Sequence, residues 1–237
     1  MPDGPRKKER PRRRAIRGIE ILHEDRDILV VYKDVGVLST ALRDPREFSA
    51  EGALTRYLRK GAARSSKCAY PVHRLDRETS GVMIFAKTAE AQAALKDNWK
   101  GNEKIYLAAV WGRPAEMRGT LTSYLAEDED LFVRSVGGPQ EGKLSQTAYE
   151  VVAEAPTMSL LKINLLTGRK NQIRVQFAEA GHPVVGDPKY GRGEPFRERL
   201  CLHAKSIAFN HPHNGRRMLF DTEPPGVFLR LFPEYRP

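Results

Sequence analysis

Between Pro71 and Thr88 the chain reads PVHRLDRETSGVMIFAKT, and five consecutive residues, His73, Arg74, Leu75, Asp76 and Arg77, gather an imidazole, two guanidinium groups and a carboxylate. This polar knot passes through Thr79-Ser80-Gly81 into the apolar run Val82 to Ala86. A charged loop that feeds directly into a buried strand can hold one carboxylate rigidly at the edge of a cleft, where it can serve as a base or a nucleophile. Asp76 is therefore the candidate for chemistry. Taken alone, the loop has a competing reading as an ordinary surface turn, with Asp76 accepting backbone N–H bonds and the arginines solvated.

Composition limits what such a carboxylate could act on. At 237 residues and 40% hydrophobic content, the chain can bury a substantial core. No apolar run approaches a membrane span, and MPDGPRKKERPRRR at the start lacks the apolar segment of a secretory signal. Cys68 and Cys201 are the only cysteines, without disulfide or metal spacing, which fits a reducing cytoplasm. His211-Pro212-His213, with His203 nearby, has no cysteine or carboxylate at a matching interval, so no metal site is expected. The net charge is +10, and residues 1–17 carry eight Lys or Arg against two acids, so +6 of it lies in that tail. A segment so rich in Arg and Pro and so poor in apolar residues reads as a disordered arm that captures phosphates, or as a solubilising tail. A polyanionic partner follows.

The elements that must position Asp76 are legible as apolar runs. Strands are expected at Ile28 to Tyr32, Val82 to Ala86, Lys104 to Trp111, Leu131 to Val136, Thr147 to Val152, Leu160 to Leu166, Leu200 to Phe209 and Met218 to Asp221. Helices are expected at Ala50 to Lys60, from a Thr88 cap to about Trp99, at Lys170 to Ala180 and at Phe228 to Phe232. In the Lys170 helix, Ile173, Phe177 and Ala180 mark the core face, while Arg174 sits just off that stripe and could reach a cleft. Strands and helices do not alternate strictly and no linker splits the body. The pattern implies a single α+β domain over 18–237, built on a mixed, mostly antiparallel sheet flanked by helices and loops around a central cleft. With no apolar heptad in evidence, a monomer is the default.

The order of residues resembles the RluA-type pseudouridine synthases, whose signature loop runs approximately HRLDRxTSGLxxxAK beside HRLDRETSGVMIFAK here, from His73 to Lys87. Three further blocks are similar to family segments in the expected order: Lys104-Ile105-Tyr106 leading into LAAVWG, Leu160 to Gly191 with its TGRKNQIR and GHPVVGDPKYG, and Leu200 to Phe220. The chain departs from the pattern at Asp34, where a proline is usual, and at Asn171 and Gln176, where histidines are usual. No stretch before Ile19 is long enough for the small S4 domain that many relatives carry, so RNA capture is expected to rest on the catalytic body and the basic arm.

The resemblance implies isomerisation of uridine to pseudouridine in ribosomal or transfer RNA, without cofactor or metal. It makes Asp76 the catalytic carboxylate, Arg174 the cation beside it and Tyr106 the active-site tyrosine. Arg74 becomes the side chain that fills the space left by the flipped base, and His73, Arg77, Arg169 and Gln172 become RNA-contacting residues. A cation beside a carboxylate favours its charged form. An RNA-binding or assembly factor on the same fold without turnover is the alternative, against which the intact Asp76, Tyr106 and Arg174 count.

Overall fold

The computed structural model describes residues 15–236 other than 42, 43, 45, 63, 192, 194, 195 and 197. The basic arm expected over 1–17 therefore lies outside the described residues up to 14. Its last part is not free: Ala15 and Ile16 form strand β1 and pair with Glu20 and Ile19.

The strands that follow are β2 (Ile19–Glu24), β3 (Ile28–Lys33), β4 (Tyr70–Pro71), β5 (Ser80–Ala86), β6 (Glu103–Trp111) and β7 (Arg118–Glu127). The second half adds β8 (Val133–Val136), β9 (Lys143–Ala155), β10 (Met158–Leu165), β11 (Leu202–Asn210) and β12 (Arg217–Asp221). Four α-helices, α1 (Ala50–Arg59), α2 (Ala89–Asp97), α3 (Gln172–Glu179) and α4 (Gly226–Leu231), and a short 3-10 helix at Trp99–Gly101 complete the elements among the described residues. All strands join one sheet in the order β1-β2-β3-β5-β11-β6-β10-β9-β7-β8, with β4 on β5 and β12 on β11. Among the described residues β5 and β11 are the one parallel pair. The expected mixed, mostly antiparallel sheet is what the chain builds.

That parallel pair is unusually tight where it matters. Gly81 faces Ala204 across it at φ +126°, and a Cβ there would stand 2.2 Å from the Ala204 carbonyl oxygen. Glycine is required at that point. Ala204 in turn faces Tyr106 on β6, so a single strand separates the start of β5, just past Asp76, from Tyr106. Alternation then sorts the two faces of the sheet. Met83, Phe85, Tyr106 and Ala108 enter the core on one face with Ile163, Ile173 and Phe177. Val82 and Ile84 pack under α2 against Ala91 and Leu95, and Leu107 and Ala109 pack against Val227 and Phe228 of α4. A period of two delivers each strand to two cores.

The helix starts follow their caps. The Ser49 side chain accepts the Gly52 N–H at α1 and the Thr88 hydroxyl accepts the Ala91 N–H at α2. The helix expected from Lys170 starts two residues later, because Asn171 takes the left-handed conformation at φ 53° that asparagine tolerates better than most residues. Strands β2 and β7 had no counterpart in the sequence expectations, and β9 extends well beyond Thr147 to Val152 at both ends. Their alternating polar residues and half-exposed faces weaken the apolar signal that marks a strand. Strand β8 starts at Val133 rather than Leu131, which sits at φ 60°. Among the described residues no helix is long and apolar enough to cross a membrane.

Candidate active site

The loop carrying Asp76 is held by its main chain. The Ser39 hydroxyl donates to the Leu75 carbonyl oxygen at 2.6 Å and accepts the Leu75 N–H at 3.0 Å, a reciprocal pin one residue before Asp76. On the other side the Arg77 carbonyl oxygen accepts the Gly36 N–H at 2.8 Å and the Lys33 ammonium at 3.4 Å. Lys33 is fully buried at the end of β3, and its ammonium also donates to the carbonyl oxygens of Val37 and Asp34. Burial pulls its pKa down to about 8, even though Asp76, Glu78 and Asp34 oppose the fall. His73 anchors the front of the loop: its Nε2 accepts the Ile84 N–H at 3.1 Å, and its ring stacks on Trp99 at 4.8 Å.

Arg174 comes from the other side of the cleft on α3. It is 4% exposed and its fork is fully engaged by Asp187, with Nε to Oδ2 and Nη2 to Oδ1 both at 2.7 Å. The remaining nitrogen, Nη1, reaches Asp76 Oδ2 at 3.4 Å and Asn171 Oδ1 at 3.3 Å. Burial opposes the charge on Arg174, yet Asp187, then Asp76 and Glu78, hold its pKa above the usual guanidinium value. Asp187 is itself fixed by the Lys189 and Tyr190 amides, which donate to Oδ1. The Tyr190 ring lies 5.3 Å from the guanidinium carbon, and its hydroxyl accepts from the Asn171 side chain.

Tyr106 projects from β6 into the same space. Its hydroxyl pKa is pushed up by burial first and by Asp76 second, so it remains a phenol through the neutral range. Asp76, Tyr106 and Arg174 line one cavity of about 290 Å³. His73, Arg74, Arg169 and Gln172 also line it, whereas Arg77 does not. Arg74 is exposed.

A model of the family described as RNA pseudouridylate synthase matches residues 27–179. The chain belongs to that family. It is 36% identical over 205 residues to the dual-specificity RNA pseudouridine synthase RluA of Escherichia coli, covering 84% of this chain and 90% of that protein. The RluA of Vibrio vulnificus is 35% identical over 206 residues, covering 81% and 78%. Among solved structures, human RNA pseudouridylate synthase domain containing 1 superposes with a TM-score of 0.70 at 27% identity, covering 87% of this chain and 84% of that one. The protein is thus an RluA-type RNA pseudouridine synthase, an isomerase that converts uridine to pseudouridine in RNA.

In this pseudouridine synthase two of the residues expected to contact RNA have partners within the protein. Gln172 is 2% exposed and its amide is saturated within the protein: its oxygen accepts the Thr167 hydroxyl and the Arg169 N–H, and its nitrogen donates to Gln146 O and Thr147 Oγ1. It braces the turn into α3 and has no donor or acceptor left for RNA. The Arg77 side chain is exposed and donates to the Gly36 carbonyl oxygen at 3.3 Å, so this residue's tie to the loop is local. Asp187, Asn171, Ser39 and Lys33 were not singled out as site residues from the sequence. The available signal for Asp187 was the charge of Arg174: a buried guanidinium requires a buried carboxylate.

His211 also calls for an account. Among the described residues Asp25, Asp27 and His211 bring potential ligand atoms within 4.8 Å of one another. Asp25 accepts from His23, from His211 and from the Asp27 and Ile28 amides, and His211 Nδ1 accepts the His213 N–H. That last bond leaves Nε2 as the donor to Asp25, so a hydrogen bond accounts for the approach of Asp25 and His211, while Asp27 joins Asp25 through its main-chain N–H.

Proposed function

We propose that Asp76 is the catalytic carboxylate for uridine isomerisation in ribosomal or transfer RNA, with Arg174 and Tyr106 as its partners. The observation that carries this reading is the asymmetry around Arg174. Its fork is committed to Asp187, while its third nitrogen meets a partly exposed Asp76 at the cavity wall. A cation is thereby fixed beside a carboxylate that still has a free face for substrate.

The reaction breaks the C1′–N1 bond, rotates the uracil and joins C5 to C1′; C5 loses its proton and N1 gains one. Nothing is oxidised and no group is donated, so the chemistry calls for no cofactor. The carboxylate serves at the sugar carbon, which develops positive charge as the glycosidic bond opens. The Tyr106 ring offers a face on which the uracil can lie while it turns. A phenol held protonated can donate or relay a proton at the base but does not act as a phenolate. Arg74, exposed at the cavity mouth, occupies the stack after the uridine is flipped out. Residues 18–237 act as one catalytic unit, a monomer without a metal, in the cytoplasm, and the basic residues before it add phosphate contacts.

The test is to incubate the purified protein with unmodified bulk ribosomal and transfer RNA and map pseudouridine at nucleotide resolution, with Asp76→Asn in parallel. Product at a defined site with the natural protein and a loss of turnover beyond about a thousandfold in the variant, with RNA binding retained, is the expected result. Equal loss of binding would remove Asp76 from the chemistry.

A further inference from the structure

The cavity contains a second buried cation whose charge the catalytic reading leaves unused. Lys104 is 7% exposed and lines the cavity together with Trp99 and His73. Among the described residues its ammonium has no carboxylate and no hydrogen-bond partner; it lies over the Trp99 ring, 5.6 Å from the ring centre. Burial lowers its pKa, and no acidic group offsets that fall. The contrast with Lys33 is direct, since that buried ammonium is met by three carbonyl oxygens. An unpaired cation costs folding free energy, and a protein retains one where a ligand supplies the counter-charge.

His73 adds a donor at the same end of the cavity. Its Nε2 accepts the Ile84 N–H, and burial, then Lys104, push its pKa down to about 3, so the ring is neutral with its proton on Nδ1. That N–H has no partner among the described residues. Trp99 supports both groups, stacked on the His73 ring and placed beneath the Lys104 ammonium.

We propose that Lys104 and the Nδ1–H of His73, seated on Trp99, form an anion subsite that takes a phosphodiester oxygen next to the target uridine. Position along the strand favours phosphate over the uracil itself. Lys104 lies two residues before Tyr106 on the same face of β6, about 7 Å away along the strand. With uracil on Tyr106 and the sugar at Asp76, Lys104 stands one step along the nucleotide backbone. The inference rests on the assignment of Asp76 and Tyr106 made above.

The test measures initial rates of pseudouridine formation on unmodified bulk ribosomal and transfer RNA at 50 and 200 mM KCl for the natural protein, Lys104→Met and Lys104→Arg. For Lys104→Met the expected outcome is a KM about tenfold higher, a kcat little changed, and a log KM against log salt slope shallower by about 0.7 to 0.9. Lys104→Arg should retain most of the natural KM. Lys104→Met should also melt at or above the natural protein, because an unpaired buried charge is gone. Lys104→Gln serves the same comparison if the methionine variant does not accumulate. An unchanged KM and slope would overturn the proposal, and so would a fall in kcat alone, which would place Lys104 at the uracil. Absence of both binding and product with the natural protein would overturn the catalytic reading together with this one, whereas normal turnover with an insensitive Lys104→Met sinks this one only.

Discussion

Of the three carboxylates near the guanidinium of Arg174 among the described residues, Glu78 stands off at 3.9 Å, while Asp187 and Asp76 face it from opposite sides of the cleft and are built for different tasks. Asp187 has a fully buried side chain and receives the guanidinium fork through two bonds of 2.7 Å. Asp76 keeps 23% of its side chain exposed and meets the same cation once, at 3.4 Å. The first geometry is that of a structural ion pair, in which excellent hydrogen bonding must offset the desolvation of both charges. The second leaves a carboxylate positioned but uncommitted. Separating the two tasks lets one arginine be rigid and still present a charge to substrate.

Exchanging each carboxylate for its amide should expose this division. In Asp187→Asn the Arg174 charge stays buried with its main partner neutralised, and the expected loss is about 3–5 kcal/mol of unfolding free energy, read by urea denaturation. Turnover should fall as well, because the fork is free to leave its place. In Asp76→Asn the Arg174–Asp187 pair is intact, so stability should stay within about 1 kcal/mol while turnover disappears. A stable Asp187→Asn beside an unfolded Asp76→Asn would reverse the assignment of the two roles.

Acid should act on the Asp76 side first. Ser80, which opens β5 just past the Asp76 loop, shares a 2.9 Å hydrogen bond with Nδ1 of His203, and His203 is fully buried. Burial, then Arg199 and Lys205, push the His203 pKa from 6.5 down to about 3. Below about pH 6.5 the unfolded chain binds a proton that the folded chain refuses until about pH 3, so stability falls as pH drops through that window. The expected loss from this one group is about 2 kcal/mol between pH 7 and pH 5. His73, with its pKa also pushed down to about 3, acts in the same direction. Urea unfolding at the two pH values should show the loss in the natural protein and a shallower dependence in His203→Gln.

The two sides also differed in how far they could be read from the sequence. The Asp76 side is contiguous: the loop, its turn and an entirely apolar strand lie within His73 to Ala86, and the expected strand is present as β5. The Arg174 side is assembled from distant pieces. Helical spacing put Arg174 off the core stripe, yet every residue from Gln172 to Phe177 is buried, because β7, β8 and β9 cover α3. A helix enclosed on all sides has no polar face to read, and its polar residues survive there through partners. Gln172 finds Thr147 and Gln146, Gln176 finds Ser123 and the Ser145 carbonyl oxygen, and Arg174 finds Asp187. Asp187 sits in a turn-rich stretch, where an aspartate normally signals only local capping. It does cap that turn, and the second use of the same carboxylate depends on a contact thirteen residues away.

The smallest effect is expected at Arg77, where sequence reasoning placed an RNA contact. Its carbonyl oxygen ties the Asp76 loop to the Gly36 amide and to Lys33, and its guanidinium adds one bond, to the Gly36 carbonyl oxygen. The side chain is exposed, lies outside the cavity wall and makes a 3.3 Å bond to a neighbouring carbonyl oxygen. Arg77→Ala preserves every main-chain bond, so stability should move by no more than about 0.5 kcal/mol. KM and its salt dependence should remain close to those of the natural protein, in contrast to Arg74→Ala, which removes the guanidinium at the cavity mouth. A clear loss of salt dependence in Arg77→Ala would show that RNA extends beyond the cavity along the outer side of this loop. The cleft would then be wider than the cavity that Asp76, Tyr106 and Arg174 define.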